Sequence, residues 1–491
     1  MSTKLPFVVR SERELLFSII FIAVSVASSI SFLILFEFFA SLSSERNYHD
    51  SRLNLSGWIV KKKILISSLL FMGLGHILYL KQYVKGILYA LIEILFLFFT
   101  PTVYKKIAGL ITLGDPHPEL PIKQRDHSMF MMIDGILILA VVFIFILLYY
   151  LSVQNALSDY KDYCATGIKA KNKNILAELG NKSFPIVGLM PMILLVLFFV
   201  VVPLIFSACV AFTNYSAPKN IPPNNTVDWV GLDNFRALFG GDATWSGALG
   251  RVAGWTLIWA FFATLTCYAG GMVMAVVLQE SKIKIKPFFR SIFILPYAVP
   301  TVVSMLVWQN LLNGSFGTVN RTLIALGLLD KSAVIPWLSN VTLARFVVIL
   351  INLWAGFPYF MLLTMGTMTS ISNEQYEAAG MDGCTKTQAF RYITLPQVLY
   401  QTMPLIIMSF TYNINNFGAI FFLTGGNPIV ADSTVTSARG TDIMVTWIYK
   451  LTITLLKYNY ASVLAVCIFV VLAPFAIYNF RRTKSYKEGE L

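Results

Sequence analysis

The sequence predicts an all-α polytopic membrane protein. Three observations carry that expectation. Hydrophobic residues make up 56% of the 491 residues and charged residues only 13%, about half the usual share of a soluble chain. Ten apolar runs occur, near 15–39, 64–80, 84–100, 131–153, 186–213, 252–278, 289–312, 345–369, 398–423 and 461–480. A bilayer core of about 30 Å needs roughly 20 helical residues, and most of these runs supply them.

The first run is longer than the apolar stretch of a signal peptide, lacks a clear small-residue cleavage site and reads as an anchor. The runs at 64–80 and 84–100 are short and suit either a tight hairpin or a re-entrant pair. Four spans before residue 153 would place Lys61, Lys62 and Lys63 outside, against the positive-inside bias. Residues 1–153 thus form an N-terminal membrane region of about four spans, followed by a cytoplasmic linker over 154–183.

Charge orients the last six runs. The segments 154–183, 279–290, 370–396 and 481–491 together hold 15 Lys or Arg, and the intervening loops 214–251, 313–344 and 424–460 hold 8. The richer side faces the cytoplasm. The net charge of +13 then belongs to cytoplasmic loops, and its dispersal argues against nucleic-acid binding. Apart from Arg290 and Arg345 at their edges, the six later runs contain no Asp, Glu, Lys, Arg or His. Ion-coupled carriers need such groups within the bilayer. Glu37, Glu93 and Asp134 lie in the N-terminal runs instead. An ion-coupled secondary sugar carrier is therefore the weaker alternative.

Other chemistry finds little support. The five cysteines are scattered and show neither a disulfide framework nor metal spacing. His117 and His127 share a loop with Asp115, Glu119 and Asp126, but Pro116 and Pro118 break any helical ligand spacing, and a solvated loop is the simpler reading. A membrane glycosyltransferase would need an acidic or metal-binding constellation at a membrane boundary, and this loop is the nearest approach to one.

Between two apolar runs stands EQYEAAGMDGCTKTQAFRYITLP, residues 374–396. Ser372 to Gln375 has capping-box spacing, which opens a helix. Glu374 and Glu377 suit its positive end. Gly383 is placed to end it in a left-handed turn. Thr385 to Gln388 repeats the capping spacing, and Pro396 suits the start of the next span. The expectation is a helix–turn–helix on the cytoplasmic face.

Polar stripes cross three of the apolar runs. Ser409, Asn413 and Asn416 are spaced i, i+4, i+7; Asn352 and Gly356, and Tyr297 and Thr301, are spaced i, i+4. Such spacing puts each set on one helix face. Uncharged donors beside an aromatic ring suit a neutral polyol, but on the residues alone interhelical hydrogen bonding is the stronger reading. Asn415 falls off the stripe. Outside the membrane, residues 233–239 form a short amphipathic pattern through Phe235, Leu238 and Phe239, fit to cap a vestibule, meet a binding protein or lie on the membrane surface.

The pattern Glu377-Ala378-Ala379, Gly383, Ile393, Leu395-Pro396 matches without departure the EAA motif of ABC importer permeases. Residues 184–482 resemble the larger membrane subunit of maltose/maltodextrin importers, through LPYAVPT (295–301), SFG (315–317), NLWAGFPYFM (352–361), SFTYNINNF (409–417) and LTGGNP (423–428). The stretch GLGHILYLKQYVKG (73–86) is similar to N-terminal regions of Gram-positive members. The loop 214–251 is too short for the large extracytoplasmic domain of some enterobacterial members.

The resemblance implies a type I ABC importer transmembrane domain, a six-helix core with additional N-terminal transmembrane helices, in a bacterial cell membrane. It implies a second permease, two ATPase subunits that bind the ATP and Mg, and an extracytoplasmic sugar-binding protein. It gives Glu374, Glu377, Ala378, Ala379, Gly383, Ile393, Leu395 and Pro396 to ATPase coupling. It gives Tyr297, Thr301, Asn352, Gly356, Ser409, Asn413 and Asn416 to an α-glucoside, with another neutral sugar as the alternative. No G-x-x-x-x-G-K-[ST] phosphate loop occurs in the chain, so it is expected to be a transport subunit without catalytic residues, cofactor or metal of its own. Residues 483–491 would be a cytoplasmic tail.

Overall fold

In lipid every backbone polar group needs an internal partner, and an apolar chain meets that need as helix. The computed structural model describes residues 54–166, 184–280, 284–330 and 332–481. Among these residues the regular structure is helical, with two isolated bridges, Thr213–Trp229 and Ser216–Asn220. The anchor expected at 15–39 with Glu37, most of the linker and the tail 483–491 lie outside the described residues.

The chain divides into two units, Met1–Phe206 with Pro222–Thr226, and Ser207–Ile221 with Val227–Leu491. The first contains α1 (Asn54–Leu70), α2 (Leu74–Leu78), α3 (Tyr83–Thr112) and α4 (Ser128–Thr166). Next comes α5, which runs through Phe184–Val196, Leu197–Val201 and Val202–Val210. Helices α3 and α4 pack together, with Phe96 stacked on Phe145 at 3.8 Å. Among the described residues of this unit, the carboxylates of the apolar helices have partners within it. Asp134 pairs with Lys106, Glu93 accepts from the Met72 N–H, and Lys85 meets Asp159 at 2.8 Å. Asp134 therefore joins α4 to α3, and Glu93 joins α3 to the turn between α1 and α2.

In the second unit, α6 (Asp233–Arg236) is one turn followed by a wide turn at Ala237–Gly241. The remaining helices are α7 (Ala243–Glu280), α8 (Lys286–Ala298), α9 (Thr301–Leu311), α10 (Thr318–Ala325), α11 (Val341–Thr369), α12 (Asn373–Met381), α13 (Lys386–Ile414), α14 (Phe417–Thr424), α15 (Met444–Ile453) and α16 (Tyr458–Phe480). Helices α7 and α11 form the central pair. Along them lie three clusters. One joins Trp245 and Trp447, one joins Trp255, Trp259, Met305 and Ile420, and one joins Met272, Phe360, Met368 and Val398.

Among the described residues, seven helices are long and apolar enough to cross a membrane, or up to eight if a bent pair counts as one span. Three expectations change. The run at 64–80 is divided between α1 and α2 by the turn at Gly73. The run at 289–312 is two helices bent by 88°, because Pro300 lacks an N–H and drives Val299 to extended backbone. The run at 398–423 breaks at Asn415 and Asn416, where the Asn416 side chain takes the Ala419 N–H and opens a new helix.

Candidate functional site

The polar loop folds as a helical hairpin. Ser372 caps α12 and accepts from the Glu374 N–H at 3.3 Å. The capping box expected there is incomplete, because Gln375 turns away and its Oε1 accepts from Gln397 Nε2 at 2.6 Å. Gly383 stands at φ +78°, with Cys384 N–H donating to Ala379 O at 2.9 Å and Gly383 N–H to Gly380 O at 3.1 Å. That pair of bonds is a Schellman end, and it needs a residue tolerant of left-handed backbone. The box at Thr385–Gln388 is complete. Pro396 stands in the first turn of the α-helical stretch Leu395–Ile414, as expected, and a wide turn at Phe390–Thr394 joins that stretch without interruption to Lys386–Ala389 as α13.

The hairpin has two faces. Tyr376 packs with Ile393 and Leu395 against the Met368 and Val398 cluster, and its hydroxyl lies 2.8 Å from Thr394 Oγ1. Glu374, Glu377, Ala378 and Met381 are exposed. Ala379 is half-buried and Gly383 exposed. Tyr376 thus joins α12 to the foot of α13 and to the central helices.

The polar stripes meet the two breaks. Tyr297 is exposed near the end of α8, its ring 6.1 Å from that of Tyr359. Thr301 is exposed as the first residue of α9, and a Cβ built on Gly418 of α14 would lie 3.9 Å from its Cγ2. Tyr297 and Thr301 therefore do not share a helix face; they flank a corner. Asn352 is half-buried on α11, its Nδ2 3.3 Å from Cys267 Sγ. Gly356 abuts the same thiol: a Cβ there would meet Cys267 Sγ at 2.7 Å.

Ser409 is half-buried on α13. Asn413 is buried and donates to Thr264 Oγ1 at 3.0 Å, while its carbonyl accepts from Trp259 Nε1 at 3.0 Å. Asn416 donates to Asn413 Oδ1 at 3.3 Å and caps α14 by accepting from the Ala419 N–H. The i, i+4, i+7 stripe is therefore not one helix face, since α13 ends at Ile414 and Asn416 belongs to the next helix. Both buried amides have partners within the chain. Asn415 and Tyr412, outside the stripe, are exposed at the same break. Spacing alone missed the breaks, although Pro300 and the three asparagines at 413, 415 and 416 carried the signal.

Residues 269–482 match the family of binding-protein-dependent transport system inner membrane components. The galactooligosaccharides transport permease GanP of Bacillus subtilis is 35% identical, with 85% of this chain and 96% of the relative covered. The maltodextrin transport permease MalC of Streptococcus pneumoniae is 34% identical, with 84% and 94% covered. A bacterial alginate ABC transporter, solved with its periplasmic protein bound to an alginate pentasaccharide, shares the fold. The TM-score is 0.50 at 21% identity, over 64% of this chain and 99% of that one. This chain belongs to the binding-protein-dependent transport system inner membrane components and is the larger, multi-pass permease of a carbohydrate ABC importer, a transport component rather than an ATPase.

Proposed function

We infer that this permease carries a neutral oligosaccharide of the maltodextrin type along a path at the two helix breaks. The observation that supports this reading is the set of uncharged residues exposed at the two breaks, Tyr297 and Thr301 at one and Asn415 and Tyr412 at the other, with Thr301 beside Gly418 of α14. Exposed rings offer flat faces for pyranose stacking, and hydroxyl and amide groups offer bonds to sugar hydroxyls without selecting a charge. Asn352, Gly356 and Ser409 are half-buried, while Asn413 and Asn416 hold the break in shape.

The exposed face of the 372–396 hairpin docks on one of two ATPase subunits, which hold the ATP and Mg. A second permease completes the path, and an extracytoplasmic binding protein delivers the sugar. Motion passes from α12 to α13 through the Tyr376–Thr394 contact, and alternating access follows from tilting of the spans.

A second reading, a galactooligosaccharide, is favoured by the 35% identity to GanP. The test is ATPase activity of the assembled importer in proteoliposomes with its binding protein, loaded in turn with maltotriose and with a β-galactooligosaccharide. Stimulation and uptake with maltotriose alone support the maltodextrin reading. A response to the galactooligosaccharide alone establishes the second. Uptake driven by a proton or sodium gradient without ATP would overturn both.

A further inference from the structure

Helix α14 is held at both ends. At its start, Asn416 bonds Asn413, which bonds Thr264 on α7. At its end, Thr424 Oγ1 lies 2.8 Å from Thr441 Oγ1, and the Thr441 N–H donates to Gly426 O at 2.9 Å. The connection from Gly425 to Ile443 then returns over α7 and α11, and side chains from those helices take its carbonyls. Arg251 on α7 donates to Ala438 O at 3.0 Å and Arg439 O at 2.9 Å. The same guanidinium reaches both Asp432 oxygens at 2.7 Å. Arg345 on α11 donates to Gly440 O at 3.0 Å and lies over the Trp255 ring at 4.5 Å. Trp255 Nε1 donates to Thr441 O at 3.0 Å.

These contacts take successive carbonyls, from Ala438 through Thr441. A planar guanidinium holds five donors in a fixed fork, so it can bind several acceptors in set directions, whereas an ammonium is a compact point charge with three donors on a flexible stem. A connection needed only to join α14 to α15 would not require four neighbouring carbonyls bound by three side chains. Helix α14 packs on α9, with Gly418 beside Thr301, so the position of α14 sets the width of the corner.

We propose that Arg251 and Arg345 are positioning residues of the translocation path: they clamp the connection 425–443 to α7 and α11 and thereby fix α14 against Thr301. The proposal rests on reading the two breaks as the sugar path. Its direct test does not depend on that reading. In the assembled importer, Thr301→Cys with Gly418→Cys is oxidised with copper phenanthroline, and the 301–418 disulfide peptide is quantified by mass spectrometry. The clamped pair cross-links readily. Arg251→Ala slows the surviving complexes about tenfold, because disulfide formation falls steeply with loss of orientation. Arg251→Lys gives an intermediate rate.

A residue that supported only folding would lower the yield of complex and leave the cross-linking rate of the assembled fraction unchanged. That outcome overturns the proposal. If Arg251→Ala does not assemble, Arg345→Ala and Arg251→Lys decide by the same criterion. Sugar uptake per ATP is then measured in the variants without the cysteine pair. A slowed cross-link with normal uptake keeps the clamp and removes the sugar path from this corner. An unchanged cross-link with impaired uptake removes the clamp.

Discussion

Replacing Gly383 isolates backbone conformation from side-chain contact. Gly383 sits at φ +78°, and a Cβ built on it meets nothing within 4 Å. Any cost of substitution is therefore the cost of left-handed backbone, about 1–2 kcal/mol for an ordinary L-residue. A β-branched residue stands at the upper end or beyond it, and Asn at the lower. A cost of 1–2 kcal/mol lowers the population of the correctly turned hairpin, relative to alternatives, by about 5–30-fold.

The ordering expected for sugar transported per ATP hydrolysed is Gly, then Asn, then Ala, then Val. ATPase activity and uptake measured together on the assembled importer check it, with membrane insertion followed by immunoblot. Gly383→Val should insert normally and hydrolyse ATP with little uptake. Equal coupling for Gly383→Asn and Gly383→Val would refute the reasoning, because the two differ chiefly in tolerance of that φ.

Thr301→Val should reduce uptake about tenfold, near the worth of one lost hydrogen bond to a buried sugar, while Thr301→Ser stays close to the parent in a transport assay over a range of maltotriose. Asn413→Leu should lower the thermal stability of the purified complex through a loss of about 1–3 kcal/mol, since Thr264 and Asn416 would lose a buried partner. Asn352→Leu should act on uptake more than on melting temperature, and the two assays run on both variants separate the roles. Gly426→Ala should destabilise the cap around α15, because its Cβ would collide with Asp442 Oδ1 and Lys450 Nζ at φ +83°. Protease susceptibility of the 425–443 connection reads that loss. Burial depresses the Lys450 pKa, and the 2.6 Å contact with Asp442 opposes that shift.

The hairpin at 372–396 was readable because its signals are local. A capping hydroxyl, two alanines and a glycine act within one or two turns of chain, and the structure departs only where a partner distant in sequence intervenes. Gln375 left its expected bond because Gln397, 22 residues on, offered another. Two of the three polar stripes failed for a related reason. Helical spacing assumes a continuous helix, and both stripes cross a break, at Pro300 and at Asn415–Asn416.

By itself, then, the sequence determined that this chain lives in a membrane, that its later spans carry no fixed charge in their interiors, and that residues 372–396 form a capped helical hairpin. Those properties follow from composition and from short-range hydrogen bonding. Only the tertiary structure decided which asparagines are satisfied inside the protein and which stand exposed at the corner. It also decided that Arg251 and Arg345 reach a loop some 90 to 190 residues away in sequence. An amide's partner depends on which helix packs beside it, and no periodicity along one strand of chain encodes that neighbour.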